Sequence, residues 1–136
     1  NGGSAMIASH MAVDACKNGG LRATAFNDAA MLTAISNDVA FEEVFALPLG
    51  RLGQSGDLLI AISSSGNSPN IIAAVEVAKK LGLKVLGFGG FTGGKLAQLA
   101  DVCIVVPSNG YGPVEDVHMI LDHILTGYFY EKLSGK

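Results

Sequence analysis

A chain of 136 residues has room for one domain with a sizeable core and little room for two. Its 49% hydrophobic and 15% charged residues exclude disorder and a coiled coil, and a net charge of -3 excludes a basic field for nucleic acid or anionic membranes. Two widely separated cysteines, Cys16 and Cys103, exclude a disulfide framework and a four-cysteine zinc site, so reduced, buried thiols are expected.

The sequence carries no export or membrane signal. No run approaches the roughly 18 consecutive apolar residues of a membrane span, and no basic start precedes a short apolar region. We therefore expect a cytoplasmic protein. The chain opens on Asn1-Gly2-Gly3-Ser4, without a methionine and in a glycine turn before a helix, so the natural N-terminus is expected further upstream.

Hydrophobic periodicity predicts alternating helices and strands along the chain. The continuous apolar run at 58–62 is typical of a strand covered on both faces, as parallel strands are. Pro69 favours the start of the next helix and Gly82 its end, and residues 89–94 are expected to form a flexible loop. The predicted strands are 21–26, 58–62, 84–88 and 102–106, and the predicted helices are 5–17, 29–36, 41–52, 69–81, 95–99 and 114–133.

Strands that alternate with helices at these lengths predict right-handed βαβ units. The expected fold is therefore a doubly wound, Rossmann-like α/β domain of the flavodoxin type, a three-layer αβα sandwich with a parallel sheet. It is expected to cover residues 1–136 as one domain. Because ligands of such sheets bind beyond the carboxyl ends of the strands, the loops after Ile62, Phe88 and Val106 are expected to share one edge with the site.

Serines are concentrated in the loop that follows the predicted strand at 58–62. Ser63, Ser64, Ser65 and Ser68 precede Pro69 at the mouth of a helix. Backbone N–H groups at a helix N-terminus, together with hydroxyl donors, can hold a phosphate without a lysine or arginine. Capping of the helix by Ser68 would explain one serine but not four. The loop therefore predicts a phosphate site.

A glycine-rich loop after the next strand matches only part of a nucleotide-binding motif. Residues 89–95 fit the G-x-x-x-x-G-K of a Walker A loop, but Leu96 stands where Ser or Thr would ligate magnesium. The same segment fails G-x-G-x-x-G, because Thr92 stands where the third glycine is required. No nucleotide cofactor is therefore predicted.

Histidines and carboxylates occur together on two predicted helices. His10 and Asp14 stand four residues apart and therefore share one helix face, which suits a metal-binding or acid/base pair. This spacing is found more often on a solvent-exposed polar face that has no such role. In the last helix, Asp122 and His123 are adjacent between apolar residues. Asp122 and His123 cannot both lie on one broad solvent-exposed face of the helix, so one of them is expected to point into a cleft.

Together these motifs resemble the SIS (sugar isomerase) domain family, and within it the phosphoheptose isomerases. The resemblance runs along the entire chain, from the N-G-G-S start through the helix of His10 and the serine loop to residues 115–123. It implies an aldose–ketose isomerase that interconverts sedoheptulose 7-phosphate and D-glycero-D-manno-heptose 7-phosphate through an enediolate. It also implies a helix and a first strand ahead of Asn1.

The resemblance also implies roles for individual residues. Asp14 and His123 would be the catalytic acid/base pair. The family has Glu where Asp14 stands and Gln where Glu115 stands, so the base is one methylene shorter and the site one charge more negative. The substrate-binding set is Asn1, Ser4, Asp38, Ser63, Ser64, Ser65, Ser68 and Glu115, with the serines on the phosphate. The zinc-binding set is His10, Asp14, Glu115 and His123.

The spacing of Glu115 and His123 conflicts with one shared ion on one helix. Eight residues are about 12 Å along an ideal helix and about 80° around it. Either Glu115 precedes the regular helix, or another subunit supplies one of the two. A homo-oligomer, a tetramer by resemblance, with the site between subunits fits the second option.

Two rival functions remain open at this point. A non-catalytic SIS module that senses sugar phosphates or scaffolds a partner protein would keep the serine loop, but it has no need of His10, Asp14 and His123. Catalysis on another sugar phosphate is the second rival. A Zn²⁺ cofactor is possible because the ligand set offers nitrogen and oxygen donors, while acid/base residues alone can also isomerise a sugar.

Overall fold

The computed structural model describes residues 1–133. Over this range three parallel strands form one sheet in the order β1-β2-β3. Leu59 of β1 stands opposite Val85 of β2, and Gly87 of β2 stands opposite Cys103 of β3. The predicted parallel α/β sheet is therefore confirmed. The strands are β1 (Leu58–Ser63), β2 (Lys84–Gly90) and β3 (Val102–Val106).

Helices precede, connect and follow these strands. Of those within residues 1–133, none is long and apolar enough to cross a membrane. The helices are α1 (Gly2–Lys17), α2 (Ala29–Asp38), α3 (Ala46–Leu52), α4 (Pro69–Lys80), α5 (Gly94–Leu99) and α6 (Tyr111–Leu133), with a 3-10 turn at Phe41–Glu43.

Four helices depart from their predicted bounds by two residues or more. α1 begins at Gly2 instead of residue 5, and α2 ends at Asp38 instead of residue 36. The predicted helix over 41–52 is broken into the 3-10 turn and α3, because a continuous helix would drive the ring of Pro48 into the carbonyl of Val44. α6 begins at Tyr111, three residues before its predicted start, so Glu115 lies inside the regular helix. The option that Glu115 precedes that helix is therefore wrong.

The helices cover both faces of the sheet, as a three-layer sandwich requires. α4 and α5 pack on one face, around a core that includes Val75 and Leu96. α1 and α6 pack on the other face, where Ile7 of α1 contacts a cluster with Ile62 and Phe88. Phe88 has no exposed surface, and burial of such a side chain contributes about 1.5 to 3 kcal/mol. The predicted doubly wound fold is confirmed.

The strand predicted at residues 21–26 is wrong. Residues 22–27 make no backbone–backbone hydrogen bond within the described chain. They line a cavity of about 740 Å³ whose other walls include α1 and the unpaired edge of β1. A strand needs a hydrogen-bonded neighbour, and this cavity separates the segment from β1.

β2 continues two residues beyond its predicted end. The backbone N–H of Gly90 donates to the carbonyl of Ser64 at 2.8 Å, so Gly89 and Gly90 belong to the sheet edge instead of a flexible loop. The expectation of buried cysteines is also wrong in part. Cys16 is exposed and Cys103 is half-buried, and both are free thiols among residues 1–133.

Candidate functional site

The serine loop, residues 63–68, joins the end of β1 to the start of α4. Ser63 and Ser64 are buried, and the hydroxyls of Ser63 and Ser68 lie 3.0 Å apart. Within residues 1–133, Ser68 makes no side-chain capping hydrogen bond to α4, and the buried hydroxyl of Ser64 has no hydrogen-bond partner. Helix capping therefore does not explain these serines, whose hydroxyl groups remain available to a ligand.

The shape of the serine loop is held by the loop that follows β2. Gly66 has a φ of +67°, and a Cβ there would overlap the carbonyl of Gly93. The backbone N–H of Lys95 donates to Asn67 Oδ1 at 3.0 Å, and that of Leu96 donates to the carbonyl of Gly66 at 2.9 Å. Residues 89–95, which partly match a Walker A loop, therefore help to hold the serine loop in its shape.

α1 meets the start of α4 through a reciprocal pair of amides. Asn1 Nδ2 donates to Asn70 Oδ1, and Asn70 Nδ2 donates to Asn1 Oδ1, each at 2.9 Å. Asn70 is fully buried, and Ser4, one turn further along α1, is buried as well. Asn1 is therefore tied to the helix that the serine loop begins. Asn70 was missed by sequence reasoning, and its signal is an amide in the first turn of an apolar helix.

Two other predicted substrate residues lie apart from the serine loop. The Glu115 carboxylate packs so closely against Gly3 that a Cβ on Gly3 would overlap its oxygens, which places Glu115 beside the first turn of α1. Asp38 is exposed at the end of α2, where its carboxylate accepts a hydrogen bond from Asn37 at 2.8 Å.

Facing side chains of α1 and α6 bring two histidines and two carboxylates together. His10 Nε2 lies 3.4 Å from Asp14 Oδ2 and 3.3 Å from His123 Nε2. Asp122 completes the group, since one ligand atom from each of the four residues lies within 4.8 Å of the others. His10 and His123 are exposed, whereas Asp122 is fully buried. This His/Asp cluster, His10, Asp14, Asp122 and His123, could hold a metal ion.

Asp122 is the cluster member to which sequence reasoning gave no role. Its position between apolar neighbours was the available signal, but the sequence alone could not say which of Asp122 and His123 points inward. In the structure it is Asp122. Burial raises the pKa of its carboxyl above the usual value, and a hydrogen bond donated by Thr126 Oγ1 at 3.3 Å acts in the opposite direction.

His118, the other histidine of α6, points into the core and takes no part in the cluster. It is fully buried, and its Nε2 donates to the carbonyl of Gly89 at 2.9 Å. Burial lowers the pKa of His118, with the Gly89 hydrogen bond acting in the opposite direction. The neutral imidazole therefore links α6 to the end of β2.

Within one chain the predicted site residues fall into two groups along α1. Asn1, Ser4 and Glu115 lie at the start of α1, near the serine loop. At 1.5 Å per residue, His10 lies about 13 Å from Asn1 along the helix axis, and Asp14 lies about 20 Å from Asn1. Glu115 therefore does not join the cluster of its own chain, and its supply by a second subunit stays a prediction.

The parallel sheet with helices on both faces, and the serine loop at the start of α4, define an α/β domain of the kind that binds ligands beyond the carboxyl ends of its strands. The profile of the SIS domain matches residues 1–90, and the chain belongs to the SIS domain family.

Its relatives include phosphoheptose isomerases. The chain is 44% identical over 131 residues to the enzyme of Helicobacter pylori, covering 92% of this chain and 68% of the relative. It is 46% identical to that of Thermodesulfovibrio yellowstonii, covering 92% and 65%. The solved phosphoheptose isomerase of Francisella tularensis superposes with a TM-score of 0.91 at 34% identity, covering 97% of this chain and 73% of that one. The predicted resemblance is confirmed, and the chain spans about two thirds of the length of its sequence relatives.

Proposed function

We propose that this protein is an aldose–ketose isomerase that interconverts sedoheptulose 7-phosphate and D-glycero-D-manno-heptose 7-phosphate. The observation that carries this proposal is the His/Asp cluster between α1 and α6, because a phosphosugar-binding module needs only the serine loop. The meeting of His10, Asp14 and His123 across two helices supports catalysis over simple binding.

The serine loop is the phosphate-binding part of the proposed site. A sugar phosphate would accept hydrogen bonds from the hydroxyls of Ser63, Ser64, Ser65 and Ser68 and lie at the positive N-terminal end of α4. Asn1 and Ser4, at the start of α1, would bind the adjoining sugar hydroxyls, and we propose the same contact for Asp38. The net charge of -3 suits such local capture, since the chain offers no broad basic surface.

Asp14 and His123 are the proposed acid and base. One removes the proton from the carbon next to the carbonyl, which gives an enediolate, and the other returns a proton to the neighbouring carbon. Asp14 is half-buried and accepts hydrogen bonds, whereas His123 is exposed, so both can exchange protons with a bound sugar. General acid/base steps of this kind contribute roughly 10² to 10⁴ in rate.

The cluster also fits a zinc ion. Tetrahedral Zn²⁺ with bonds of about 2.0 to 2.1 Å separates its ligand atoms by about 3.3 Å, and His10 Nε2 lies 3.3 Å from His123 Nε2 and 3.4 Å from Asp14 Oδ2. We propose His10, Asp14 and His123 as zinc ligands. A bound zinc ion would act as a Lewis acid that polarises the sugar carbonyl.

We further propose that the working site lies between subunits of a homo-oligomer, a tetramer by family resemblance. The serine loop and the His/Asp cluster are separated along α1, so a second subunit would unite the two groups. Apolar side chains beside the cluster support this arrangement, since each is at least 55% exposed. This apolar face comprises Met6 and Val13 of α1 with Ile120, Ile124 and Tyr128 of α6.

A substrate panel tests the proposed function. The intact protein should form aldose from sedoheptulose 7-phosphate faster than from hexose or pentose ketose phosphates. Faster conversion of one of the shorter sugars would assign a different substrate. Binding of sedoheptulose 7-phosphate without any aldose formation would instead show a sugar-phosphate-binding module.

A further inference from the structure

Phe91 has a backbone conformation that its side chain disfavours. It directly follows β2, and its φ is +55°. Within residues 1–133 every other residue with a positive φ is a glycine. A bulky side chain is an outlier in this region, and such outliers concentrate at active sites and ligand-binding segments. Because glycine would adopt this turn without strain, the turn itself does not account for a phenylalanine at position 91.

The ring of Phe91 pairs with the ring of Tyr111. The ring centroids are 5.2 Å apart at an interplanar angle of 62°. The backbone N–H of Phe91 donates to the carbonyl of Ser108 at 3.1 Å, which joins the loop after β2 to the loop after β3. In the described chain neither ring belongs to the two core clusters. Phe91 is half-buried and Tyr111 is 61% exposed, so this aromatic pair, Phe91 and Tyr111, offers ring surface to a ligand.

The aromatic pair lies beside the serine loop, at the carboxyl edge of the sheet. Gly90, the residue before Phe91, donates its backbone N–H to the carbonyl of Ser64 at 2.8 Å. Two residues after Phe91, the carbonyl of Gly93 packs closely against Gly66. Contacts to the serine loop therefore flank the strained residue on both sides, and its ring borders any ligand that the serine loop holds.

We propose that the aromatic pair is a subsite for the carbon chain of a sugar phosphate and contacts the C–H groups nearest the phosphate. The inference rests on phosphate binding by the serine loop in the proposed function. The face of an aromatic ring carries negative charge, which attracts the slightly positive hydrogens of C–H groups. Ligand pockets commonly combine such rings with a few polar groups. The serine loop would hold the phosphate, and the aromatic pair would favour a sugar phosphate over inorganic phosphate.

Two ligands separate the ring contact from the phosphate contact. The first is a heptitol 7-phosphate, the reduced form of sedoheptulose 7-phosphate, and the second is inorganic phosphate. Calorimetric titration of the intact protein measures both affinities. Phe91→Gly removes the ring and permits the positive φ without strain. We expect it to weaken heptitol 7-phosphate binding by about 10-fold, to leave inorganic phosphate binding unchanged and to keep or raise the thermal midpoint.

Two further variants complete the test. Tyr111→Leu removes the other ring from an exposed position and should show the same selective loss. Phe91→Tyr keeps a ring at the strained position and should retain both wild-type affinities. Wild-type affinity for the heptitol 7-phosphate in both Phe91→Gly and Tyr111→Leu would overturn the proposal. An equal loss of affinity for both ligands would also overturn it, because the rings would then only hold the shape of the serine loop.

Failure of this inference and failure of the proposed function give different results. The heptitol 7-phosphate has no carbonyl, so its binding does not depend on isomerase activity, which the substrate panel decides separately. A wild-type protein that binds it no more tightly than inorganic phosphate would overturn the inference alone. A wild-type protein that binds neither ligand would overturn the inference together with the phosphate site of the proposed function.

Discussion

Two histidines of α6, five residues apart, occupy opposite environments. His118 is fully buried and bonded to the Gly89 carbonyl, whereas His123 is exposed and meets His10. An inward histidine must stay neutral to avoid the cost of a buried charge. Protonation of His118 is therefore expected to lower the stability of the fold, whereas His123 is open to solvent.

His118 should make the folded state sensitive to acid. Its pKa is lowered in the folded chain, so the unfolded chain binds the extra proton first as the pH falls. The contribution of neutral His118 to the free energy of unfolding is fully present above pH 6.5, which is about the pKa of histidine in an unfolded chain. It is lost as the pH falls from 6.5 toward the lower pKa of the folded state, by up to about 1.4 kcal/mol per pH unit. Urea unfolding of wild type and His118→Gln between pH 7.5 and about 4.5 measures this. Identical pH dependence in the two proteins would contradict it.

Replacement of His123 should remove catalysis without loss of the fold. We expect His123→Ala to lower kcat by about 10² to 10⁴, because one member of the acid/base pair is gone. Asp116→Asn, a change at an exposed carboxylate of the same helix, is the matched control and should keep wild-type kcat. Steady-state rates at saturating substrate measure kcat for wild type and both variants. Full activity in His123→Ala would show that this residue has no part in the mechanism.

At the scale of elements, the strand and the helix predicted on either side of the serine loop are confirmed, and the phosphate site in that loop stays a prediction. A buried strand, consecutive serines and a proline-started helix are local signals, so no distant contact is needed to identify them. Its support by Asn67, Lys95 and Leu96 depends on a second loop and could not be predicted from local spacing. The same is true of the amide pair between Asn1 and Asn70, which are 69 residues apart.

Removal of serine hydroxyls should weaken phosphate binding. Ser63→Ala and Ser65→Ala should each weaken binding of a sugar phosphate by about 1.5 to 3 kcal/mol, the usual contribution of a hydrogen bond to a charged group. Ser55→Ala, at an exposed serine before the opposite end of β1, is the control and should bind as wild type. Calorimetric titration measures the three affinities, and unchanged binding in both loop variants would exclude this phosphate site.

Prediction failed where an element depends on a neighbour. Residues 21–26 have the apolar character of a strand, but a strand also needs a hydrogen-bonded partner, and in the described chain a cavity of about 740 Å³ lies between this segment and β1. A strand ahead of Asn1, which family resemblance implies, stays a prediction. Asp122 was missed for a related reason, since the inward direction of its side chain depends on how α6 packs against α1 and the sheet.

At the scale of the whole molecule, the apolar face beside the His/Asp cluster predicts association. Light scattering on the intact protein should give an oligomer, a tetramer by family resemblance. Ile120→Glu combined with Ile124→Glu should shift it toward the monomer, because each large apolar side chain contributes about 1.5 to 3 kcal/mol when buried. Leu52→Glu, on the exposed surface of α3, should leave the mass unchanged. A wild-type monomer at micromolar concentration would contradict the proposed shared site.

Proton exchange at the reacting carbon tests the proposed isomerase most directly. Sedoheptulose 7-phosphate is incubated with the intact protein in heavy water, and NMR follows both deuterium at the carbon next to the carbonyl and formation of the aldose. Wild type should catalyse both through the enediolate, and His123→Ala should catalyse both about 10²- to 10⁴-fold more slowly. Binding of the sugar phosphate with no deuterium incorporation and no aldose would contradict the proposal and identify a phosphosugar-binding domain instead.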